Sequence, residues 1–189
     1  KLLIPRDAYY GIETQRAIHN FPISGLHLQI SFIQSYLFIK KAAALANKKL
    51  GKLQVQKAKA IVKACDLLLK SDMGDFEVDV YQAGAGTSEN MNLNEVIANK
   101  ALEIMNKKKG DYTFINPHDH VNLSQSTNDT FHTAIHIASL KELKFSLLPV
   151  LEKLETALAK KGKQFDRIMK SGRTHLRDAV PISLGQEFM

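Results

Sequence analysis

Three short runs of small polar residues hold the side chains of this sequence best suited to chemistry: Gly84-Ala-Gly-Thr-Ser-Glu-Asn-Met-Asn92, His120-Val-Asn-Leu-Ser-Gln-Ser-Thr-Asn-Asp129 and Ser171-Gly-Arg-Thr-His-Leu-Arg-Asp178. Each is expected just before or at a helix start, where free backbone N–H groups and the positive end of the helix dipole favour an anion. Hydroxyls and amides donate hydrogen bonds while staying neutral. Three such runs brought together would therefore hold a dicarboxylate. Ordinary N-capping uses the same residue types, and Ser88, Thr127 or Asp129 would each serve as a cap. A cap needs only one Ser or Thr, whereas Ser124-Gln-Ser-Thr-Asn128 supplies five consecutive polar residues.

The histidines divide. His118 and His120 flank Asp119 in a metal-like triplet, but two close imidazoles without further ligand spacing make a weak case for a metal. His132 and His136 are one helical turn apart and read as surface or packing residues. His175 follows Arg173 and Thr174 in what reads as a turn after a helix, where a polar cluster has no packing purpose, and it is the best histidine for function. Gly84-Ala-Gly86 lacks the third glycine, the lysine-hydroxyl pair and the βαβ context of a nucleotide loop. No Gly-x-Ser-x-Gly elbow is present. The single cysteine, Cys65, excludes an internal disulfide, fits a reducing cytoplasm, and lies on an apolar stripe where a core role is expected.

The elements that must position these runs are helical. Apolar residues recur at helical spacing from about Leu28 to Leu50, with Gly51 as a stop, and again from Val55 to Leu69. A third helix is expected over Asn90 to Met105. A long one is expected from Asp129 or Thr130 to about Met169, bent near Pro149 and ended by Gly172. Residues 1–25 mix turn-formers with aromatics and read as an irregular arm, and 71–86 as loop with a short strand at Phe76–Tyr81. The stripe Ile135, Leu147, Leu151, Leu154 and Leu158 calls for partner helices. The expected class is all-α and oligomeric. The chain divides into residues 1–128, an N-terminal domain, and 129–189, the start of a central helical bundle.

At 189 residues and 44% hydrophobic, the chain can bury a sizeable core. No apolar run approaches the roughly 18 residues of a membrane span. The formal charge of +7 is carried partly by clusters such as Lys40-Lys41, Lys48-Lys49 and Lys107-Lys108-Lys109, which read as solvated helix faces and helix C-termini. Neither zinc-ligand spacing nor an aromatic RNA-reading pattern accompanies them, which argues against nucleic acid as a partner. Opening on Lys1 rather than Met, the chain reads as a trimmed piece without a secretory signal.

At the three polar runs the sequence resembles the aspartase/fumarase superfamily, whose members make or break a C–N or C–O bond beside a carboxylate. The family strings Gly-Thr-x-x-Asn-Met-Asn-x-Asn-Glu, Asp-His-Val-Asn-x-x-Gln-Ser-x-Asn-Asp and Gly-Arg-Thr-x-x-x-Asp-Ala-x-Pro stand in order at 86–95, 119–129 and 172–181. Asp7-Ala-Tyr-Tyr-Gly11, Val78-Asp-Val-Tyr-Gln-Ala-Gly-Ala-Gly-Thr-Ser88 and Asp178-Ala-Val-Pro181 are similar to the ammonia-lyase branch. The resemblance implies elimination of ammonia from L-aspartate to give fumarate. A class II fumarate hydratase is the alternative, and a non-catalytic helical interaction module a further one.

Carried over residue by residue, the resemblance assigns Thr87, Ser126 and Thr127 to the substrate carboxylate beside the carbon that loses its proton. Asn128 and His175 are assigned to the amino group or the other carboxylate, with Thr174 alongside. It implies a cytoplasmic homotetramer acting on a small dicarboxylate, with no cofactor, no metal, no nucleic acid and no membrane. His132 stands where the family usually has Pro, and Arg177 where Gln is commoner. The serine-rich loop resembling Gly-Ser-Ser-x-Met-Pro-x-Lys-x-Asn, which supplies the family's base, is absent from these residues, so the chain by itself is expected to lack turnover.

Overall fold

In the computed structural model, which describes residues 2–189, contacts group the chain into two units, 1–139 and 140–189. The first is built on four helices, α1 (Ile12–Asn20), α2 (Ile30–Lys49), α3 (Val55–Leu68) and α4 (Thr87–Ile104), followed by the first turns of α5 (Thr127–Glu142). The apolar spacing read from the sequence sets the buried faces. Phe32, Ile33, Tyr36 and Leu37 of α2 pack with Ala58, Ile61, Ala64, Cys65 and Leu68 of α3 and with Leu93, Val96, Ile97 and Leu102 of α4. Gly51, in the left-handed region at φ 68°, ends the turn after α2 as expected. Cys65 is fully buried, and burial pushes its thiol up to about 12, which makes it an inert core residue.

The polar side chains of α4 hold the loops in place. Its buried residues include Glu89, Asn90, Asn92, Asn94, Glu95 and Asn99. Asn92 donates to the Asp75 carbonyl at 3.0 Å, and Asn99 donates to the Tyr9 carbonyl at 2.6 Å while accepting from the Gly110 N–H at 2.8 Å. Glu95 accepts from the N–H groups of Gly11, Glu13 and Thr14 at 2.9, 3.0 and 3.0 Å and from the Thr14 hydroxyl at 2.6 Å. The amino end of α1 is thus capped by a carboxylate far away in sequence. Residues 1–25 are therefore not an irregular arm throughout: α1 forms because its free N–H groups find their acceptor in α4, which no local pattern announces. A side chain at Gly11 would meet Glu95 Oε1 and the Tyr112 hydroxyl at 2.6 Å, so glycine is required for this approach.

Between α3 and α4 the expected strand at Phe76–Tyr81 reduces to a single bridge, His27 with Asp79. The Asp79 carboxylate accepts from the N–H groups of Ser24, Gly25 and Tyr81, and these bonds, acting against its desolvation, hold it well below the usual carboxylate range. Those N–H groups are occupied by a side chain rather than a neighbouring strand. Thr130, Ala134 and Ala138 of α5 are buried in the first unit, Ala134 and Ala138 within its apolar core.

The second unit contains a π-helical turn (Leu143–Leu147), α6 (Leu148–Phe165), and an antiparallel hairpin of β1 (Met169–Thr174) and β2 (Arg177–Ser183). The long helix expected from the sequence changes to a π-helical turn just before Pro149, with right-handed helical φ/ψ kept at Glu142, Leu147 and Leu148. The helix ends at Phe165, and Gly172 is a buried residue of β1 rather than the stop. A short turn, Leu184–Glu187, follows β2, capped by reciprocal bonds between Ser183 and Gln186 at 2.8 and 3.2 Å. Leu147, Leu151, Leu154 and Leu158 are exposed within this unit. The architecture is mainly helical with one small two-stranded sheet, and among the described residues no helix is long and apolar enough to cross a membrane.

Candidate active site

The first two polar runs meet through Asn90 and Thr127. Thr87 opens α4, exposed, its hydroxyl turned back to the Gly84 carbonyl at 3.3 Å. Gly86 precedes it at φ 75°, and a side chain there would collide with the Phe131 ring of α5. Thr127 opens α5, and its Oγ1 accepts from Asn90 Nδ2 at 2.9 Å. Ser126 caps the same helix, accepting from the Asn128 N–H at 3.3 Å, and both residues are exposed. Two helix amino ends, each rimmed by hydroxyls or amides, are thus tied by one amide.

Beneath them lies a buried polar floor that sequence reasoning missed. Asn90 Oδ1 lies 2.6 Å from Lys40 Nζ and 2.8 Å from the Tyr36 hydroxyl, and Asn90 Nδ2 also reaches Asn122 Oδ1 at 3.2 Å. Lys40 Nζ donates to Asn122 Oδ1 at 2.9 Å, and the Tyr36 hydroxyl lies 2.8 Å from Thr130 Oγ1. Tyr36 meets Phe32 and Phe131 edge-on around this floor, and those two rings are tilted against each other, with centroids 5.1–6.2 Å apart. The Lys40-Lys41 pair is therefore not simply a solvated face. Lys40 is fully buried, and burial pushes its ammonium down to about 7. The available signal was its register: Ile33, Tyr36, Leu37, Lys40 and Ala44 share one helical stripe. Burial likewise pushes Tyr36 up to about 12 and Glu89, whose Oε1 has no hydrogen-bond partner, up to about 8.

The metal-like triplet points apart. His118 Nδ1 faces Asp119 at 3.2 Å in solvent, whereas His120 turns inward, its Nδ1 accepting from the Asn116 N–H at 2.8 Å and its Nε2 facing Lys57 Nζ at 2.8 Å. Burial, then the neighbouring Lys57 charge, lowers the His120 pKa. Among the described residues no three His, Cys, Asp or Glu side chains gather around a metal-sized site. His132 and His136 are both exposed on α5, and His132 leaves the first turns of that helix regular.

The third run belongs to the second unit and is not a helix start. Arg173 and Thr174 end β1, and His175 and Leu176 form the two-residue turn to β2, with φ of 48° and 64°. Two consecutive left-handed residues make a turn whose twist suits a hairpin, at a steric cost that Asn or Gly would avoid. Thr174 and His175 are exposed at this tip, and Arg173 Nε bonds Asp178 at 3.0 Å.

Hydroxyl and amide donors at two helix amino ends, with a buried lysine behind them, have the chemistry that a small anion would require. A lyase family model matches residues 1–189, and the chain belongs to that family, the aspartase/fumarase group of lyases. It is 53% identical over 186 residues to an aspartate ammonia-lyase of Bacillus subtilis, covering 98% of this chain and 39% of that protein. It is 49% identical over 189 residues to a class II fumarate hydratase of Halobacterium salinarum, covering 100% of this chain and 40% of the relative. The crystal structure of a fumarate lyase:delta crystallin from Brucella melitensis superposes with a TM-score of 0.93 at 48% identity, covering 99% of this chain and 43% of that one. The chain thus spans about two-fifths of the length of the relatives it matches.

Proposed function

We propose that this chain is part of an aspartate ammonia-lyase, supplying carboxylate-binding donors for the reversible elimination of ammonia from L-aspartate to give fumarate. The observation that carries the reading is the 2.9 Å bond from Asn90 to Thr127, which ties the amino ends of α4 and α5 into one donor surface. Thr87, Ser126 and Thr127 hold the carboxylate next to the carbon that loses its proton. Asn128, Thr174 and His175 serve the amino group or the other carboxylate. Removing that proton spreads charge onto the carboxylate as an enediolate-like dianion, and fixed neutral donors aimed at it lower the barrier by several kcal/mol. The basic serine belongs to a loop this chain does not contain, so His175 supports catalysis rather than starting it, and the chain alone has no turnover.

In the longer protein, residues 1–128 form the N-terminal domain and 129–189 begin the central bundle, within a cytoplasmic homotetramer that needs no cofactor. A fumarate hydratase is the second reading, favoured by relatives of that activity at nearly the same identity. Assaying ammonia release from L-aspartate and hydration of fumarate by the intact enzyme separates them: deamination is expected, and hydration without deamination replaces the first reading with the second. A non-catalytic module would show neither activity and no saturable response to a dicarboxylate.

A further inference from the structure

Among the described residues, Lys40 is a buried amine without an ion pair. An unpaired buried ammonium is costly unless its hydrogen bonds are satisfied and do something an apolar residue could not. Charged or neutral, the amine has an N–H for each of the two amide oxygens it touches, Asn90 Oδ1 at 2.6 Å and Asn122 Oδ1 at 2.9 Å, and holds both as acceptors. Neither amide can then flip. Asn90 must present its NH2 to Thr127 Oγ1 at 2.9 Å, and Asn122 must present its own to the Gln125 carbonyl at 3.2 Å, in the loop leading into α5. The lone pair of Thr127 that faces the core is thereby occupied by a donor. Its single hydroxyl hydrogen is left to point outward, as donation to an anion at the start of α5 requires.

We infer that Lys40 is a positioning residue: through Asn90 it sets the direction of the Thr127 hydrogen bond, making that hydroxyl an obligatory donor to the substrate carboxylate. This rests on the reading of Thr127 as a carboxylate ligand. Lys40 never touches the substrate. Its effect passes along an ordered chain, ammonium to amide to hydroxyl, in which every link donates toward the site.

The test uses the intact lyase that carries this chain, with L-aspartate as substrate. Asn90→Asp changes almost no volume and gives Lys40 a carboxylate partner, but it replaces the NH2 with an acceptor, so Thr127 must donate inward. The expected result is a melting temperature equal to or above that of the wild type, with kcat/KM about 100-fold lower, the loss typical of one catalytic donor. Lys40→Met removes the donor at similar length and is expected to lower kcat/KM by a comparable factor. If Lys40 acts through Thr127, its loss in a Thr127→Val background costs little more, so Lys40→Met with Thr127→Val matches Thr127→Val alone. Losses that multiply, or an Asn90→Asp enzyme with wild-type kcat/KM, overturn the inference while leaving the carboxylate-binding reading intact. A wild-type enzyme that turns over no dicarboxylate overturns both. If Lys40→Met does not fold, Asn90→Asp decides alone.

Discussion

α4 and α6 are both 18-residue helices, and they invert the usual relation between amphipathicity and burial. α6 carries a clean leucine stripe opposite lysine and glutamate, yet Gly162 is the helix's one buried residue. α4 mixes asparagine and glutamate into its apolar face, yet 12 of its residues are buried. An apolar stripe states only that a face should leave water, and something must arrive to cover it. The buried amides and carboxylates of α4 show the converse: polar groups enter a core when loops and helix ends supply their hydrogen bonds. Asn92, Glu95 and Asn99 each bind a segment that would otherwise have free N–H or C=O groups, while Asn90 joins the side chains of Tyr36, Lys40 and Thr127.

Glu95→Ala tests this contrast most severely. It removes four hydrogen bonds from the start of α1, and a loss of about 4 kcal/mol is expected by urea unfolding, with faster hydrogen exchange across residues 12–20. A cost under about 1 kcal/mol would mean that α1 does not depend on α4 for its cap. Leu93→Ala, at a fully buried apolar position of the same helix, is expected to cost about 3 kcal/mol.

Glu89→Gln probes this buried carboxyl, whose Oε1 has no hydrogen-bond partner among the described residues, through pH. In the folded chain its pKa is pushed up to about 8 from the ordinary 4.5, so the folded state holds a proton that the unfolded state has released. That contribution is complete below the unfolded value and is lost as pH rises from about 4.5 to about 8. Lys40 acts in the opposite sense: lowered from 10.5 to about 7, it makes stability rise with pH between those values. Stability measured by denaturant titration should therefore fall through the acid window and recover above it, passing a minimum at about pH 7–8. Glu89→Gln should flatten the falling limb, a change of a few kcal/mol at most. A variant with the wild-type pH profile would show that Glu89 is charged and paired in solution.

The smallest effect belongs to α6. Leu154→Ala should cost less than about 0.5 kcal/mol in this chain, where the side chain is 52% exposed. If the same substitution costs about 3 kcal/mol in the intact protein, an added surface covers the stripe there. Equal small losses in both would leave the stripe uncovered.

Helices α2, α3 and most of α4 were legible because their apolar residues recur at 3.6-residue spacing and Gly51 marks a stop. The sequence pattern puts the start of α4 at Asn90, three residues after its actual start at Thr87, because Gly84-Ala-Gly86 reads as loop and only packing seats the left-handed Gly86 against Phe131. The first two polar runs were legible as helix-start chemistry. The third was not: Ser171-Gly-Arg-Thr174 has no alternating apolar pattern, and the hairpin depends on pairing with Arg177–Ser183 and on a strained two-residue turn.

By itself, the sequence determined the helical periodicity, the content of the three polar runs and the family strings they spell, since each depends on residue type and spacing along one segment. Only the tertiary structure decided that α1 is capped from α4, that Lys40 is buried while Lys41 pairs with Asp66 at 2.6 Å, and that Asn90 joins Thr127. Those outcomes depend on which donor meets which acceptor across more than 20 residues of chain, and no local pattern records a partner that folding alone brings near.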